Sequence, residues 1–509
     1  MASLDDFKTA INSGFNFKGN SITLGTAMFD KVSVPETPIK IPLNVVNRHG
    51  LVAGATGTGK TKTIQQFAES LSENGIPVLL MDIKGDLSGI AKPGTENPKI
   101  TERHKLIGKE WKPAKFPAEL MSISNEKGLR LRATVSEFGP VLFSKILELN
   151  EIQQGAVAII FKFCDDKKMP LLDIKDFREV LNYITGEGEK EIKSYGQVSS
   201  TTSGVIMRKL LELEQQGADK FFGEKSFEVE DLLRKDKDGH GYLNIIRLCD
   251  MQDKPKLFST FMLCLLAEIY QKFPELGDRA EPKLVIFIDE AHLIFRDATK
   301  TLMQQLETVI KLIRSKGVGI FFCTQIPGDI PDAILSQLGS KFQHAMRAFT
   351  AKDRKDIKLV AENYPSTKYY DTENLLTELG IGEALVTVLD EKGAPTPLAH
   401  TLLCAPRTRM DVLTPAEQDQ IVKDSLIADE YNEEIDRNSA YEMLNGKIEA
   451  ASKEEKKPAE SEAHDSKESS IMETINAATK NPMVKTVVRE VTRGIFGMLF
   501  GNTSTRRRR

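Results

Sequence analysis

Tryptophan and cysteine are scarce in this 509-residue chain, with one of the first and five of the second. Five cysteines without a CxxC pair exclude a disulfide framework. Cys164, Cys264, Cys323 and Cys404 sit in apolar or strand-like runs and read as buried thiols in a reducing cytosol. An excess of one charge is also missing. Lys+Arg total 69 and Asp+Glu 73, a formal charge of −4. That excludes a chain basic throughout, such as a histone-like condenser, but not local basic patches. No uninterrupted apolar stretch reaches the roughly 20 residues of a membrane span. The longest, Phe258–Ile269 and Leu284–Ile288, have the length of core elements. The N-terminus, MASLDDFKTA, has neither the basic nor the apolar region of a signal peptide. These absences predict a large, soluble, cytoplasmic protein. With 40% apolar and 28% charged residues it can bury a sizeable core, and its length allows about three domains.

Residues 1–45 are turn-rich, with strand candidates at Ser21–Leu24 and Lys31–Val34, and form too short a segment for an ordinary domain. Residues 46–95 and 241–405 alternate strands and helices, the pattern of an α/β core with a mainly parallel sheet. The expected strands are Gly50–Ala53, Val78–Met81, Tyr242–Leu248, Leu284–Ile288, Val318–Thr324 and Phe342–Ala348. The expected helices are Thr61–Ser72, Phe258–Tyr270 and Ala298–Arg314. Ala384–Leu389 and Leu398–Cys404 flank a Glu391-Lys392-Gly393 turn and read as a β-hairpin. Residues 96–240 read as a large, mainly helical insertion, on apolar spacings such as Leu142, Ile146 and Leu149. Residues 406–451 read as a C-terminal helical segment and 452–470 as a charged, flexible linker. Residues 471–509 form a basic amphipathic tail, with Val484, Val487, Val491 and Ile495 on one helical face and Lys485, Arg489 and Arg493 on another. Net charge swings from −7 over residues 425–470 to +6 over 471–509. Such a tail can lie on an anionic membrane, contact DNA or dock on a neighbouring subunit.

Gly54-Ala55-Thr56-Gly57-Thr58-Gly59-Lys60-Thr61 fits G-x-x-x-x-G-K-[ST] at every fixed position, between a strand and a helix. Its glycines let the backbone wrap an anion, and its amides and the following helix N-terminus aim partial positive charge at a β-phosphate. Lys60 is expected to reach the β- and γ-phosphates and Thr61 to ligate Mg²⁺. The apolar run Lys283–Ile288 ends in Asp289-Glu290. Asp289 is expected to complete the Mg²⁺ shell. Glu290 is expected to orient and deprotonate a water, the step that separates hydrolysis from binding. A third apolar strand ends at Gln325, where an amide can contact the γ-phosphate or the attacking water. These strand ends would meet at the carboxyl edge of one sheet, where such folds bind ligands. The expected cofactors are ATP and Mg²⁺. His292 reads as a strand-to-helix packing residue.

In order along the chain, five segments resemble the HerA/FtsK group of hexameric, ATP-driven DNA translocases, and most nearly the bacterial HerA-like ATPases. They are Asn47–Thr61, Leu80–Leu87, Ile288–His292, Lys316–Gln325 and Asp332–Gln337. The resemblance covers roughly residues 40–405. It implies a RecA-like P-loop NTPase core, with the helical insertion and C-terminal helical tail attached. It implies a homo-hexameric ring, nucleotide between neighbouring subunits, and an arginine donated in trans. Arg314 matches that arginine, with the role of a surface arginine closing a helix C-terminus equally open. Arg48 and Arg347 match family arginines near the nucleotide or the interface. Asp82 and Asp332 match acidic positions near the site, with capping or turn roles equally open. Double-stranded DNA is the implied substrate. The alternative reading is an ATP-driven remodeller or nucleotide-gated scaffold of a protein complex, with an unidentified protein partner and no nucleic acid. The family's DNA-acting members carry a β-barrel before the ATPase. Roughly 45 residues precede the P-loop strand here, so a complete barrel is not expected.

Overall fold

The computed structural model describes residues 3–277, 281–296, 300–433, 435 and 438–446. The charged linker and the basic tail lie outside the described residues. The chain forms two compact units. Among the described residues, one comprises 3–131 and Phe227–Glu433, the other Arg132–Ser226 with 435 and 438–446.

The first unit is built on one sheet. Its strands are β1 Ser21–Phe29, β2 Val32–Pro42, β3 Gly50–Ala53, β4 Val78–Asp82, β5 Ala118–Ser122 and β6 Leu129–Arg130, then β7 Leu243–Arg247, β8 Leu284–Ile288, β9 Val318–Thr324, β10 Ser340–Gln343, β11 Glu383–Thr387 and β12 Ala399–Leu403. Their order is β2-β1-β12-β11-β10-β3-β9-β8-β4-β7-β5-β6. The run from β10 to β6 is parallel, and β11, β12, β1 and β2 extend it antiparallel. β8 and β9 are buried at every position, as near-continuous apolar strands covered on both faces must be. Register sets the functional edge. Ala53 lies opposite Thr324 and Gln343, and Ile288 opposite Phe322 and Met81.

The helix Lys60–Glu73 leaves the β3 loop and packs back on the sheet. Its Phe67 ring sits 5.1 Å from Phe321 of β9, 5.6 Å from Phe287 of β8 and 5.9 Å from Phe342 of β10. Phe287 and Phe321 stack at 5.2 Å. One aromatic cluster therefore locks the helix that carries Lys60 and Thr61 to the strands that end at Asp289 and Gln325. Edge-to-face pairs of this kind add about 0.5–1.5 kcal/mol each beyond area burial.

Residues 406–411 strap the other side of that helix. Buried Glu69 accepts the backbone N–H groups of Arg407 (2.7 Å) and Thr408 (2.9 Å), and the Thr408 hydroxyl. Gln65 Nε2 donates to the Arg409 carbonyl at 2.9 Å. Burial pushes the Glu69 carboxyl above its usual range even though these donors pull it down. Glu69→Ala should therefore destabilise the protein by about 2–4 kcal/mol, because two buried N–H groups lose their acceptor. Glu69→Gln, which keeps one acceptor oxygen, should cost less. Urea unfolding midpoints check this, and equal midpoints for Glu69→Ala and the unaltered chain would refute it.

The second unit is helical, with Val135–Ile146, Glu151–Lys167, Ile174–Thr185 and Ser200–Gln215 as its long elements. Thr134 with Glu137, Asn150 with Gln153, and Asp173 with Asp176 form capping boxes at three N-termini. Phe143 packs on Phe177 at 4.9 Å and Phe222 at 6.1 Å inside it. The backbone of Ala440 and Tyr441 joins this unit through Pro170 and Asp176. Among the described residues no helix is long and apolar enough to cross a membrane.

Candidate active site

The loop Gly54–Gly59 connects β3 to the helix at Lys60. Gly54 (φ 147°) and Gly59 (φ 109°) adopt backbone conformations that side chains disfavour. A Cβ on Gly54 would come within 2.5 Å of His344 Cβ. The loop is braced from behind. Ala55 N–H donates to the Ala345 carbonyl (2.8 Å) and Gly382 N–H to the Thr58 carbonyl (3.0 Å). Arg103 in turn holds the carbonyls of Ile381 and Gly382. His344 Nε2 lies 3.0 Å from Thr63 Oγ1. Lys60 is buried, and its Nζ donates to the Gly54 (2.6 Å) and Ala55 (3.2 Å) carbonyls. Burial and then Lys84 push its ammonium below the usual lysine range, while Glu290 and Asp289 pull it back.

Acidic groups gather beside Lys60 from the ends of β4 and β8. Thr61 Oγ1 donates to Asp86 Oδ2 at 3.1 Å. Asp82 is fully buried and accepts the N–H groups of Gly85 (2.8 Å) and Leu87 (3.2 Å). Burial, with the charges of Asp86 and Asp289, pushes Asp82 up to about 7. Burial pushes Asp289 up to about 6; Lys84 opposes this, and Glu290 and Asp86 add to it. Asp289 Oδ2 and Asp86 Oδ1 have no hydrogen-bond partner among the described residues. Crowded carboxylates with unpartnered oxygens beside a threonine hydroxyl match the hard oxygen donors that Mg²⁺ prefers.

Glu290 is 5% exposed and holds φ 44°, rare for a residue with a side chain. Strain of this kind persists where the surroundings over-determine it, and it clusters at functional sites. The Glu290 carboxylate forms an ion pair with Lys84, and His292 Nδ1 lies 3.2 Å from its other oxygen. His292, expected as a packing residue, thus faces the carboxylate. Lys84 and Asp86 were given no role from sequence. Their signal was a cluster of charged residues just past an apolar strand, the same one that singles out Asp289-Glu290.

Gln325 is exposed at the end of β9. Gly54 N–H bonds the Thr324 carbonyl at 3.3 Å, and Ala291 N–H the Cys323 carbonyl at 2.8 Å. The P-loop, Asp289-Glu290 and Gln325 therefore share one sheet edge. Arg314 does not join them. It is exposed in the short turn Arg314–Lys316 that precedes β9. Arg48 also precedes its strand, β3, whereas Arg347 is exposed beyond the end of β10. Asp332 lines a separate pocket with Lys341 and Tyr364.

The model of the helicase HerA-like C-terminal family matches residues 29–508. The chain belongs to that family. A DNA double-strand break repair helicase, HerA of Sulfurisphaera tokodaii, is 25% identical over 374 residues, which cover 71% of this chain and 66% of that protein. The DNA import protein CedB of Sulfolobus acidocaldarius is 23% identical over 356 residues, 68% of this chain and 51% of that one. The chain thus spans just under two thirds of the first relative and about half of the second. Among solved structures, the plasmid coupling protein TrwB, in complex with a non-hydrolysable ATP analogue, superposes with a TM-score of 0.50 at 16% identity. That match covers 78% of this chain and 99% of TrwB, and it shows the fold. The HerA-like chain has the RecA-like P-loop fold.

Proposed function

We propose that this HerA-like chain is an Mg²⁺-dependent ATP hydrolase that works as a homo-hexameric ring and draws double-stranded DNA through it. The separation of Arg314 from its own P-loop carries this reading. Seven residues of β9 lie between the Arg314 turn and Gln325. At about 3.3 Å per residue that is roughly 20 Å, far beyond the reach of an arginine side chain. An exposed arginine at the opposite sheet edge serves a neighbour's nucleotide or none.

Each residue then has a place in the chemistry. Lys60 and the loop amides bind the β- and γ-phosphates. Thr61 and Asp289 would hold Mg²⁺, which when bound neutralises charge on the β- and γ-oxygens. Glu290 takes the proton of the attacking water at a carboxylate oxygen, and Gln325 orients that water. The neighbouring subunit's Arg314 meets the charge that develops on the transferred group. Double-stranded DNA as the substrate is supported by the names of the two relatives, a break-repair helicase and a DNA import protein. The proposed setting is the cytoplasm.

Turnover measured without DNA, with single strands and with duplex tests the motor. Duplex should stimulate hydrolysis several-fold, with steep salt dependence, because neutralised phosphates release counterions. EDTA should abolish it. Hydrolysis indifferent to both DNAs would sink the translocase and favour a protein partner as the object of the ATPase.

A further inference from the structure

His49 lies where three functional elements meet. It directly precedes β3, the strand that runs into the P-loop. It is 2% exposed and adopts φ 57°, ψ 167°, a conformation glycine favours. Its imidazole is used at both ends. Ile320 N–H of β9 donates to Nδ1 at 3.1 Å. That leaves the hydrogen on Nε2, which donates to the Ile310 carbonyl at 2.9 Å. Ile310 belongs to the last turn of the helix Lys300–Ile313. Arg314 follows that helix directly. The His49 carbonyl also accepts Ser340 N–H of β10 at 3.2 Å. Burial pushes the His49 imidazole down to about 4; the Ile310 bond opposes this, and the nearby Arg314 charge adds to it. The ring is therefore neutral and keeps a single tautomer.

We infer that His49 is a positioning residue for Arg314: by donating to the Ile310 carbonyl while it accepts from β9, it ties the last turn of the arginine's helix to the strand that ends at Gln325. The inference rests on the in-trans role proposed for Arg314. It ties the arginine offered to a neighbour to the two strands, β3 and β9, that end at the chain's own P-loop and Gln325. A glycine would suit the backbone better, so it is the side chain that explains a histidine here.

Replacement separates this role from plain stability. Gln can place an amide N–H near the position of Nε2, whereas Asn reaches only as far as Nδ1. His49→Gln should retain most turnover, and His49→Asn should lose up to about 10²-fold in kcat, the scale of a group misplaced by about an ångström. Affinity for a fluorescent ATP analogue should stay within about twofold in both variants, since an interaction made only in the transition state shows in kcat. In an Arg314→Ala background, His49→Asn should add nothing further, as expected for residues acting through one another. Turnover kept by Asn and lost by Gln would show that the bond to the Ile310 carbonyl is not needed and overturn the inference. Nucleotide affinity falling with kcat, or losses that add fully to those of Arg314→Ala, would overturn it as well. If Arg314→Ala alone left turnover unchanged, the in-trans reading would fail and the inference with it. If Arg314→Ala slowed turnover and His49→Asn did not, only the inference would fail.

Discussion

Glu290→Gln is expected to bind ATP and fail to hydrolyse it, with turnover lower by about 10²–10⁴-fold, the range for loss of a positioned general base. The amide keeps the size of the carboxylate and can still face Lys84 and His292, its present neighbours. What it loses is the ability to take a proton. The Lys60 and P-loop contacts are untouched, so nucleotide affinity should hold or rise. Glu290 is one of the charges that push the Asp289 carboxyl up. Its removal should make Asp289 a readier anion, which favours metal binding and works against any loss of affinity. Single-turnover hydrolysis together with titration of a fluorescent ATP analogue separates the two effects. Turnover within about tenfold of the unaltered protein would show that another group accepts the proton and that Glu290 is not the base.

Lys84 belongs to the same argument. Burial lowers its proton affinity, but the bond to Glu290 and the charges of Asp289, Glu290 and Asp86 outweigh that and raise it. The ammonium therefore remains charged and pins the one carboxylate expected to act as base.

The parts of this architecture legible in the sequence are those whose cause is local. The P-loop is eight consecutive residues with a strand before it and a helix after it. β8 and β9 are unbroken apolar runs that end in polar residues, and their parallel packing follows from burial on both faces. Elements that depend on distant partners were harder to read. β5 contains Glu119 and follows a proline-punctuated stretch, so nothing local marks it as a strand. Glu119 is buried there because Arg234 and Ser425, each at 2.9 Å, pair with it. β2 runs through Pro35 and Pro38, which its place at the sheet edge permits. β10 was expected at Phe342–Ala348 and occupies Ser340–Gln343. From His344 on, the chain bends across the P-loop. His344 N–H bonds the Ala53 carbonyl, and Ala345 then receives Ala55 N–H. Apolar residues past Gln343 prolong the pattern of a strand that the P-loop contacts end. His49 had no sequence signal of its own, because a buried histidine in a turn is defined only by what closes around it.

Arg314→Ala is expected to have the largest effect of any change outside the P-loop and its partner carboxylates, about 10³–10⁵-fold in turnover, the worth of an arginine that meets transition-state charge. Arg314→Lys should recover little, because a single ammonium cannot reproduce the planar guanidinium fork. Magnitude alone would not prove action in trans, since a residue that merely stabilised the fold could also silence the enzyme. Mixing does. Lys60→Ala subunits cannot hold a nucleotide well but keep Arg314, and Arg314→Ala subunits keep an intact P-loop. Each should be inactive alone. In mixed rings, a P-loop from the second kind can sit beside an arginine from the first, and part of the turnover should return. The return should depend on the mixing ratio and peak when both kinds are plentiful. An arginine working on its own subunit's nucleotide would give no recovery at any ratio. The strand of roughly 20 Å between Arg314 and Gln325 argues against that outcome. If recovery were nevertheless absent in rings shown to be mixed, the interfacial site would have to be abandoned.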